Sequence, residues 1–490
     1  MQAMGKRTVR RNKVVWQDAV IAILFGTIIV AGILCVARTI WSGYHFLDDH
    51  ELIRMEQSFS QGMSLHDLLR AWIKNDMNQR FRPLYWIERV TGSYLMGSNL
   101  MLWNIWTAVK GILAFALLYL SARYVKAGRT VSLIFPMVIM LGTQFTPWYR
   151  SANQESTGLL LCAAILCLIA AQYAHGRYTS PVYNIPIVIL VILSGFAKES
   201  FTLFMPVFPM LKLWLEYWDG CDETWLGTRR KGRLLRLVKE NLAVYLCILA
   251  AFLINIYMIL FRVGVDRISY AGFHQDTGLN QYLHGISDSL FVNMKWNTVI
   301  AGQLIFMILL CYQLVEKYNI WRYVSLCIIL FCTMGIQLVA HAKSEMWGRY
   351  LFPYIIAYAL LFVLLGNYIF RKDRFRNSIY QAVLLVLLIL TVAGETDRIV
   401  GAFGDEELDL ATECWLEVHD RSQAYSNVNG EWKNTVQLTD ALTGECSWED
   451  VKVVTCYSYA QVYVLSLMDG VTENDFDFYT FGNYMVMVKK

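Results

Sequence analysis

The chain has 490 residues, of which 56% are hydrophobic and 17% are charged, and its mean hydropathy is +0.39. This number of charged side chains is too small to cover the surface of a soluble protein. The composition therefore excludes an ordinary soluble globular protein and indicates a membrane protein. A formal net charge of +4 is too small to indicate a nucleic-acid partner. In a membrane protein the positions of the Lys and Arg residues are more informative than their sum.

The first apolar run, 19–37, follows a basic stretch between Lys6 and Lys13. A secretory signal begins in the same way. The run is as long as a membrane span, however, and no small-residue cleavage site follows it, so we interpret it as an uncleaved anchor. Apolar runs of similar length recur along the chain and predict eleven spans. They are residues 19–37, 101–122, 130–147, 156–174, 182–196, 200–218, 241–261, 298–315, 321–341, 350–370 and 379–394.

Basic residues cluster in alternate short loops between these runs, at 123–129, 229–239, 317–322 and 371–376. The positive-inside rule assigns those loops and the N-terminus to the cytoplasm. With an odd number of spans, the C-terminus then lies outside the cytoplasm. We therefore expect a multi-pass protein of the cell membrane.

The predicted fold is an all-α polytopic membrane domain, residues 1–395, with about 11 transmembrane helices. Its first outer loop, 38–100, contains an amphipathic pattern at 64–73 behind Ser64, which predicts a surface helix. Residues 396–490 predict a small extracytoplasmic α+β domain. In that region 406–418 has a helical pattern, and 451–467 and 476–488 are rich in Val, Tyr and Phe.

An acidic pair, Asp48-Asp49, follows the first span by about ten residues. A carboxylate in a crevice of low dielectric can take the proton of an acceptor hydroxyl, and its neighbour can orient the acceptor or hold a divalent cation, Mg²⁺ or Mn²⁺, on a phosphate. The alternative is structural: Asp48 and Glu51 form a capping box before an apolar helix. The two interpretations are compatible, because a cap also fixes a catalytic carboxylate.

Four cations are predicted on the same outer side as this pair. Arg82 precedes Pro83 and so lies near a helix N-terminus, which itself favours anions. Lys198 occupies the tight turn between the fifth and sixth spans, and Lys343 and Arg349 precede the tenth. Such residues could bind a lipid phosphate or could extend to the interface as ordinary membrane-boundary cations. Lys110, inside the second span, has the same two interpretations.

Four short motifs in this order resemble the GT-C glycosyltransferase superfamily, most closely its bacterial, protein-O-mannosyltransferase-like branch. They are Leu47-Asp48-Asp49, Phe81-Arg82-Pro83-Leu84, Ala197-Lys198-Glu199-Ser200 and Gly348-Arg349-Tyr350-Leu351-Phe352-Pro353. The resemblance covers about residues 15–395. It implies transfer of a sugar from a polyprenyl-phosphate or polyprenyl-diphosphate carrier with inversion, with Asp48 or Asp49 in the acidic catalytic motif. Arg82, Lys198 and Arg349 then match positions near the lipid phosphate.

The function expected is therefore transfer of a hexosyl or pentosyl group to an extracytoplasmic acceptor, which is a cell-surface glycan, a lipid or a protein of the cell envelope. The expected partners are the polyprenyl-phosphate-sugar donor, the lipid bilayer and that acceptor. No CxxC pair or Cys/His cluster indicates a metal site. Two other functions remain open: a transporter or flippase of lipid-linked glycans, which normally shows duplicated halves, and a non-catalytic membrane scaffold.

Overall fold

The chain is mostly helical over the residues that the computed structural model describes. These are 16–36, 50–142, 144–148, 153–219, 232–264, 278–293, 320–343, 348–370, 373–403, 453–457, 461, 465, 472–481 and 484–490. Within these ranges seven helical segments are long and apolar enough to cross a membrane, as a multi-pass membrane protein requires. They are Trp16–Val36, Leu100–Tyr124, Glu155–His175, Leu242–Gly264, Arg322–Ala340, Gly348–Leu365 and Arg374–Gly394.

The helices are numbered here in chain order. The first nine are α1 (Trp16–Val36), α2 (His50–Ser60), α3 (Leu65–Asp76), α4 (Pro83–Met96), α5 (Leu100–Tyr124), α6 (Arg129–Met140), α7 (Glu155–His175), α8 (Pro181–Ala197) and α9 (Glu199–Phe204). The remainder are α10 (Val207–Trp218), α11 (Arg233–Glu240), α12 (Leu242–Tyr257), α13 (Leu279–Asp288), α14 (Ile320–Ala340), α15 (Phe352–Ala359), α16 (Gly366–Phe370) and α17 (Arg374–Phe403).

The centre of the bundle is α5, which packs against α1, α6 and α7. Asp18, fully buried in the first turn of α1, fixes one of these contacts. Its Oδ1 accepts from the Tyr119 hydroxyl at 3.1 Å and from Nε of Arg123 and of Arg129, each at 3.2 Å. The basic residues around the α5–α6 turn therefore also join α1 to the bundle.

Two predicted spans differ from the observed helices for local backbone reasons. The run 130–147 is helical only to Met140, because Leu141 is extended and Gly142 has φ +122°. The run 200–218 is divided at Pro206, which separates α9 from α10 and has no amide hydrogen for a continuous helix. The run 298–315 lies outside the described residues.

The described part of the first loop, residues 50–100, contains the three helices α2, α3 and α4. Two predictions for it are confirmed: α3 begins after Ser64, whose hydroxyl accepts from the Asp67 amide at 3.2 Å, and α4 begins at Pro83. Leu68 of α3 packs against Trp86 of α4 in a small apolar core that includes α2. This core fixes the start of α4, where Arg82 lies.

Near the C-terminus β1 (Val453–Tyr457), β2 (Phe476–Phe481) and β3 (Tyr484–Lys489) form an antiparallel sheet in the order β1-β3-β2. Val453 pairs with Val488, and Phe476 pairs with Lys489. β1 lies within the predicted extended segment 451–467, and β2 and β3 cover the segment 476–488 with β3 ending one residue beyond it. The predicted helix 406–418 lies outside the described residues.

Candidate functional site

Four cationic side chains meet where α4, α7, α9 and α15 begin, and we call Arg80, Arg82, Lys198 and Arg349 the cationic cluster. Arg82 directly precedes α4. Lys198 has an extended backbone, with φ −166° and ψ 155°, which breaks the chain between α8 and α9. Arg349 lies in the 3₁₀ turn before α15. Helix ends thus deliver cations from three distant parts of the sequence to one place.

Three consecutive residues at the start of α7 receive one cation each. Asn153 Oδ1 accepts from Arg349 Nη1 at 2.9 Å, and Gln154 Oε1 accepts from Arg82 Nη1 at 3.1 Å. The carboxylate of Glu155 accepts from Lys198 Nζ. The start of α7 therefore brings together Arg82, Lys198 and Arg349.

Two further carboxylates pair with the arginines of the cluster. Glu199 accepts from Arg80 through both oxygens, at 3.1 and 2.9 Å, and Asp76 binds Arg82 in the same forked way, with its closest contact at 3.0 Å. Such bidentate pairs are rigid because the guanidinium plane matches the carboxylate. The described cluster thus combines four cations with three carboxylates, Asp76, Glu155 and Glu199.

Aromatic rings line the same region. The Lys198 ammonium lies 3.7 Å from the centroid of the Tyr350 ring, and the Arg82 guanidinium lies 4.3 Å from that of Tyr85. Ring faces attract cations most strongly where water is excluded. The rings therefore stabilise the positive charges of Lys198 and Arg82 in addition to their carboxylate partners.

Burial and neighbouring charges shift the acidity of these groups. Burial lowers the pKa of the Lys198 ammonium to about 7, and the positive charges of Arg80 and Arg349 lower it as well, against its carboxylate partner. Burial would raise the pKa of Glu199, but Arg80 outweighs it and holds that pKa at about 2. Lys198 is therefore the group of the cluster that titrates near neutral pH.

The acidic pair Asp48-Asp49 lies outside the described residues, but the helix that follows it is described. α2 begins at His50, and Glu51 accepts from the Tyr85 hydroxyl at 3.1 Å. The Tyr85 ring is the one that faces Arg82. The residues directly after the acidic pair are thus one aromatic ring away from the cationic cluster.

Lys343 lies, partly exposed, in the turn after α14. Lys110, which could have extended to the interface, is buried instead, with Nζ 2.7 Å from Glu88 Oε1 and 3.1 Å from Thr157 Oγ1. Thr157 belongs to the first turn of α7. Lys110 therefore lies beside the site, in an ion pair of its own.

The chain matches no protein-family profile, no curated protein sequence and no solved structure. The assignment of function consequently depends on the residues themselves.

Sequence reasoning missed the anionic and amide partners of the cations, although one signal was available. Asn153-Gln154-Glu155 is a polar triplet directly before the apolar run 156–174. Polar residues at a membrane boundary are costly unless they bind a partner or a ligand, so the triplet indicates functional residues as strongly as the cations do. Asp76, at the end of α3, offered no comparable signal, because a surface helix commonly ends in charged residues.

The described residues do not test the predicted divalent cation, because the acidic pair Asp48-Asp49 lies outside them. Each of the carboxylates Asp76, Glu155 and Glu199 is engaged by a cation, and no three His, Cys, Asp or Glu side chains converge as metal ligands among the described residues. The described residues are instead suited to bind an anion by charge and hydrogen bonds.

Proposed function

We propose that this chain is a membrane glycosyltransferase of the GT-C type, which transfers a sugar from a polyprenyl-phosphate-linked donor to an extracytoplasmic acceptor with inversion. The observation that carries the proposal is the convergence of Arg82, Lys198 and Arg349 on one polar triplet at a helix start. Arginine and lysine held in fixed positions are the groups that bind and stabilise phosphate in a site of low dielectric.

In the proposed reaction the acceptor oxygen forms a bond to the anomeric carbon of the sugar while the bond from that carbon to the phosphate oxygen breaks. The bonding electrons remain on the departing polyprenyl phosphate, and Arg349 and Lys198 stabilise the negative charge that it gains. The acceptor proton passes to a carboxylate, Asp48 or Asp49. Attack opposite the leaving group inverts the anomeric carbon.

The proposed orientation puts the cationic cluster outside the cytoplasm, the N-terminus inside and the C-terminal sheet outside in a small domain. The basic loops 123–129 and 229–239 support it through the positive-inside rule. The full set of eleven spans belongs to this proposal: α6, α8 and the pair α9–α10 add three shorter apolar segments to the seven long ones, and 298–315 supplies the last.

Transfer from lipid to acceptor tests the proposal directly. Purified protein is mixed with envelope membranes that hold a radiolabelled pool of polyprenyl-phosphate sugars. Label is then followed from the donor into other lipids, separated chromatographically, and into the insoluble and protein fractions. Loss of a general base slows a reaction about 10²–10⁴-fold. Asp48→Asn or Asp49→Asn should therefore abolish measurable transfer. Arg349→Gln, which removes one donor to the leaving group, should slow it about 10²-fold.

Arg236→Gln is the matched control, because Arg236 is an exposed arginine in α11 that pairs with Glu240 outside the cluster. It should transfer at the wild-type rate. A transporter of lipid-linked glycans would move the labelled donor across the bilayer without transferring the sugar. A scaffold would leave the pool unchanged and would tolerate both aspartate substitutions. Either result would refute the glycosyltransferase assignment.

A further inference from the structure

A cavity lies at the end of the bundle opposite the cationic cluster. It is partly open to its surroundings and is lined by residues of α5, α7, α10 and α14. Tyr173, near the end of α7, lines it, whereas Glu155 of the cluster begins the same helix. At 1.5 Å per residue these two positions are about 27 Å apart along the helix axis, so the cavity and the cluster are separate sites.

The cavity wall is divided between hydrocarbon and positive charge. Leucine, isoleucine and alanine side chains form most of it, chiefly from α7, α10 and the π-helical segment 360–365. Lys126 and Arg322 line it too, and the described lining residues include no carboxylate. The Arg322 guanidinium lies 5.5 Å from the centroid of the Trp214 ring, which holds it at the wall. A ligand with an anionic head and an apolar body matches such a surface.

Lys126 adopts an unfavourable backbone conformation to occupy this position. Its φ is +68°, and the Ala127 and Lys126 amides donate to the carbonyls of Ala122 and Arg123 at 3.0 and 2.9 Å. This is the Schellman ending of a helix, whose left-handed residue is usually glycine because a Cβ is penalised there. The left-handed position is occupied by a lysine although a glycine, Gly128, lies only two residues away. This indicates that the positive charge of Lys126 has a function.

We propose that this cavity binds an anionic phospholipid. The headgroup phosphate lies against Lys126 and Arg322, and the first carbons of the acyl chains lie against the apolar wall. Under the orientation proposed above, the lipid comes from the cytoplasmic leaflet, where negative lipids attract basic residues next to the membrane. The binding itself does not require glycosyl transfer, since the cavity shares no residue with the cationic cluster.

Native mass spectrometry of the detergent-purified full chain tests this, with phosphatidylglycerol and phosphatidylcholine of identical acyl chains as probes. The wild type should bind phosphatidylglycerol more tightly than phosphatidylcholine by at least tenfold. A basic residue next to an anionic headgroup contributes about a fivefold change in affinity. Lys126→Gly and Arg322→Gln should therefore each weaken phosphatidylglycerol binding about fivefold. Both should weaken phosphatidylcholine binding less, because its choline offsets the charge of its phosphate.

Lys126→Gly also separates binding from folding. Glycine relieves the left-handed backbone, so this variant should unfold at the same or a higher temperature than the wild type in lipid-free detergent. Arg236→Gln, an exposed arginine that does not line the cavity, should bind both lipids as the wild type does. Equal binding of the two lipids, or unchanged phosphatidylglycerol binding in Lys126→Gly, would overturn the proposal. So would equally tight binding of glycerophosphoglycerol, which has no acyl chains.

Discussion

Replacing Lys198 by Met tests whether the buried pair with Glu155 is a structural or a functional feature. The two side chains are only 1% and 3% exposed. Removing one partner of such a pair leaves the other charge buried, which costs about 3–5 kcal/mol of folding free energy. Because Arg349 also acts on the Glu155 carboxylate, we expect Lys198→Met to cost about 3 kcal/mol, at the lower end of this range.

Adding Glu155→Gln removes the stranded charge. The double variant Lys198→Met/Glu155→Gln should regain about 2 kcal/mol relative to Lys198→Met alone, since a neutral amide at this depth is less costly than an unpaired carboxylate. Its sugar transfer should nevertheless stay at least 10²-fold below wild type, because the cation at the leaving phosphate is gone.

The chain offers a matched control in α10, where Lys212 and Glu216 form another buried ion pair, with both side chains 2% exposed. Lys212→Met should destabilise the protein about as much, and Lys212→Met/Glu216→Gln should regain stability and keep wild-type transfer. Unfolding in mixed micelles by added SDS measures the stabilities, and the radiolabel assay measures transfer. If both double variants lost transfer equally, or if Lys198→Met/Glu155→Gln kept wild-type transfer, the functional role given to Lys198 would be refuted. If Glu155→Gln restored no stability, the unpaired buried carboxylate would not be the cause of the destabilisation.

Three further predictions concern the charge of the site and the packing that supports it. The affinity for the donor should fall as pH rises through about 7, because the Lys198 ammonium, whose pKa is lowered to about 7, then loses its proton. Glu155→Gln removes an effect that raises the pKa of Lys198. A profile of donor KM against pH should therefore have its midpoint at a lower pH in this variant than in the wild type. Gly158→Ala should lower the free energy of unfolding in SDS by about 1–3 kcal/mol, since the new Cβ would lie 2.2 Å from the buried Phe201 ring. Gly32→Ala is the control: its new Cβ would have no atom within 4 Å, so the change should be neutral or stabilising. Equal losses of stability in the two variants would contradict the close contact between α7 and α9. Asp18→Asn should lower the free energy of unfolding by about 1–2 kcal/mol in the same measurement, because Arg123 and Arg129 lose a charged acceptor. Sugar transfer by the folded protein should stay at the wild-type level. An unchanged stability would contradict the anchoring of α1 by Asp18.

The positions of most helices follow from the sequence, because apolar length and local capping chemistry act within a few residues. Pro83 at the start of α4 and Ser64 before α3 are examples. The ends of helices are harder to predict from the sequence. α6 stops at Met140 within an apolar run that continues to 147, and only the backbone of Gly142, with φ +122°, reveals why.

From the sequence, the cations of the site could be predicted, but their hydrogen-bonding partners could not. The order of motifs along the chain predicted Arg82, Lys198 and Arg349 on one side of the membrane, because each lies beside a predicted span, and the structure brings their side chains together. Their partners were not identified, since Arg349 and Asn153 are 196 positions apart and Arg80 and Glu199 are 119 positions apart. Contacts over such separations depend on how helices pack, and hydrophobic periodicity does not specify which helices become neighbours.

The charge of the described cluster bears on how the proposed reaction would be accelerated. While Lys198 is protonated, which holds below its pKa of about 7, four cations against the carboxylates of Asp76, Glu155 and Glu199 leave one net positive charge. A sugar linked to polyprenyl phosphate carries one negative charge, which this excess balances. The polyprenyl phosphate that departs gains further negative charge as the bond breaks. Its attraction to Lys198 and Arg349 therefore grows towards the transition state, and only interactions that strengthen in this way raise the rate of the chemical step. The carboxylates keep the cations in place before the donor arrives, so little reorganisation remains when the charge develops.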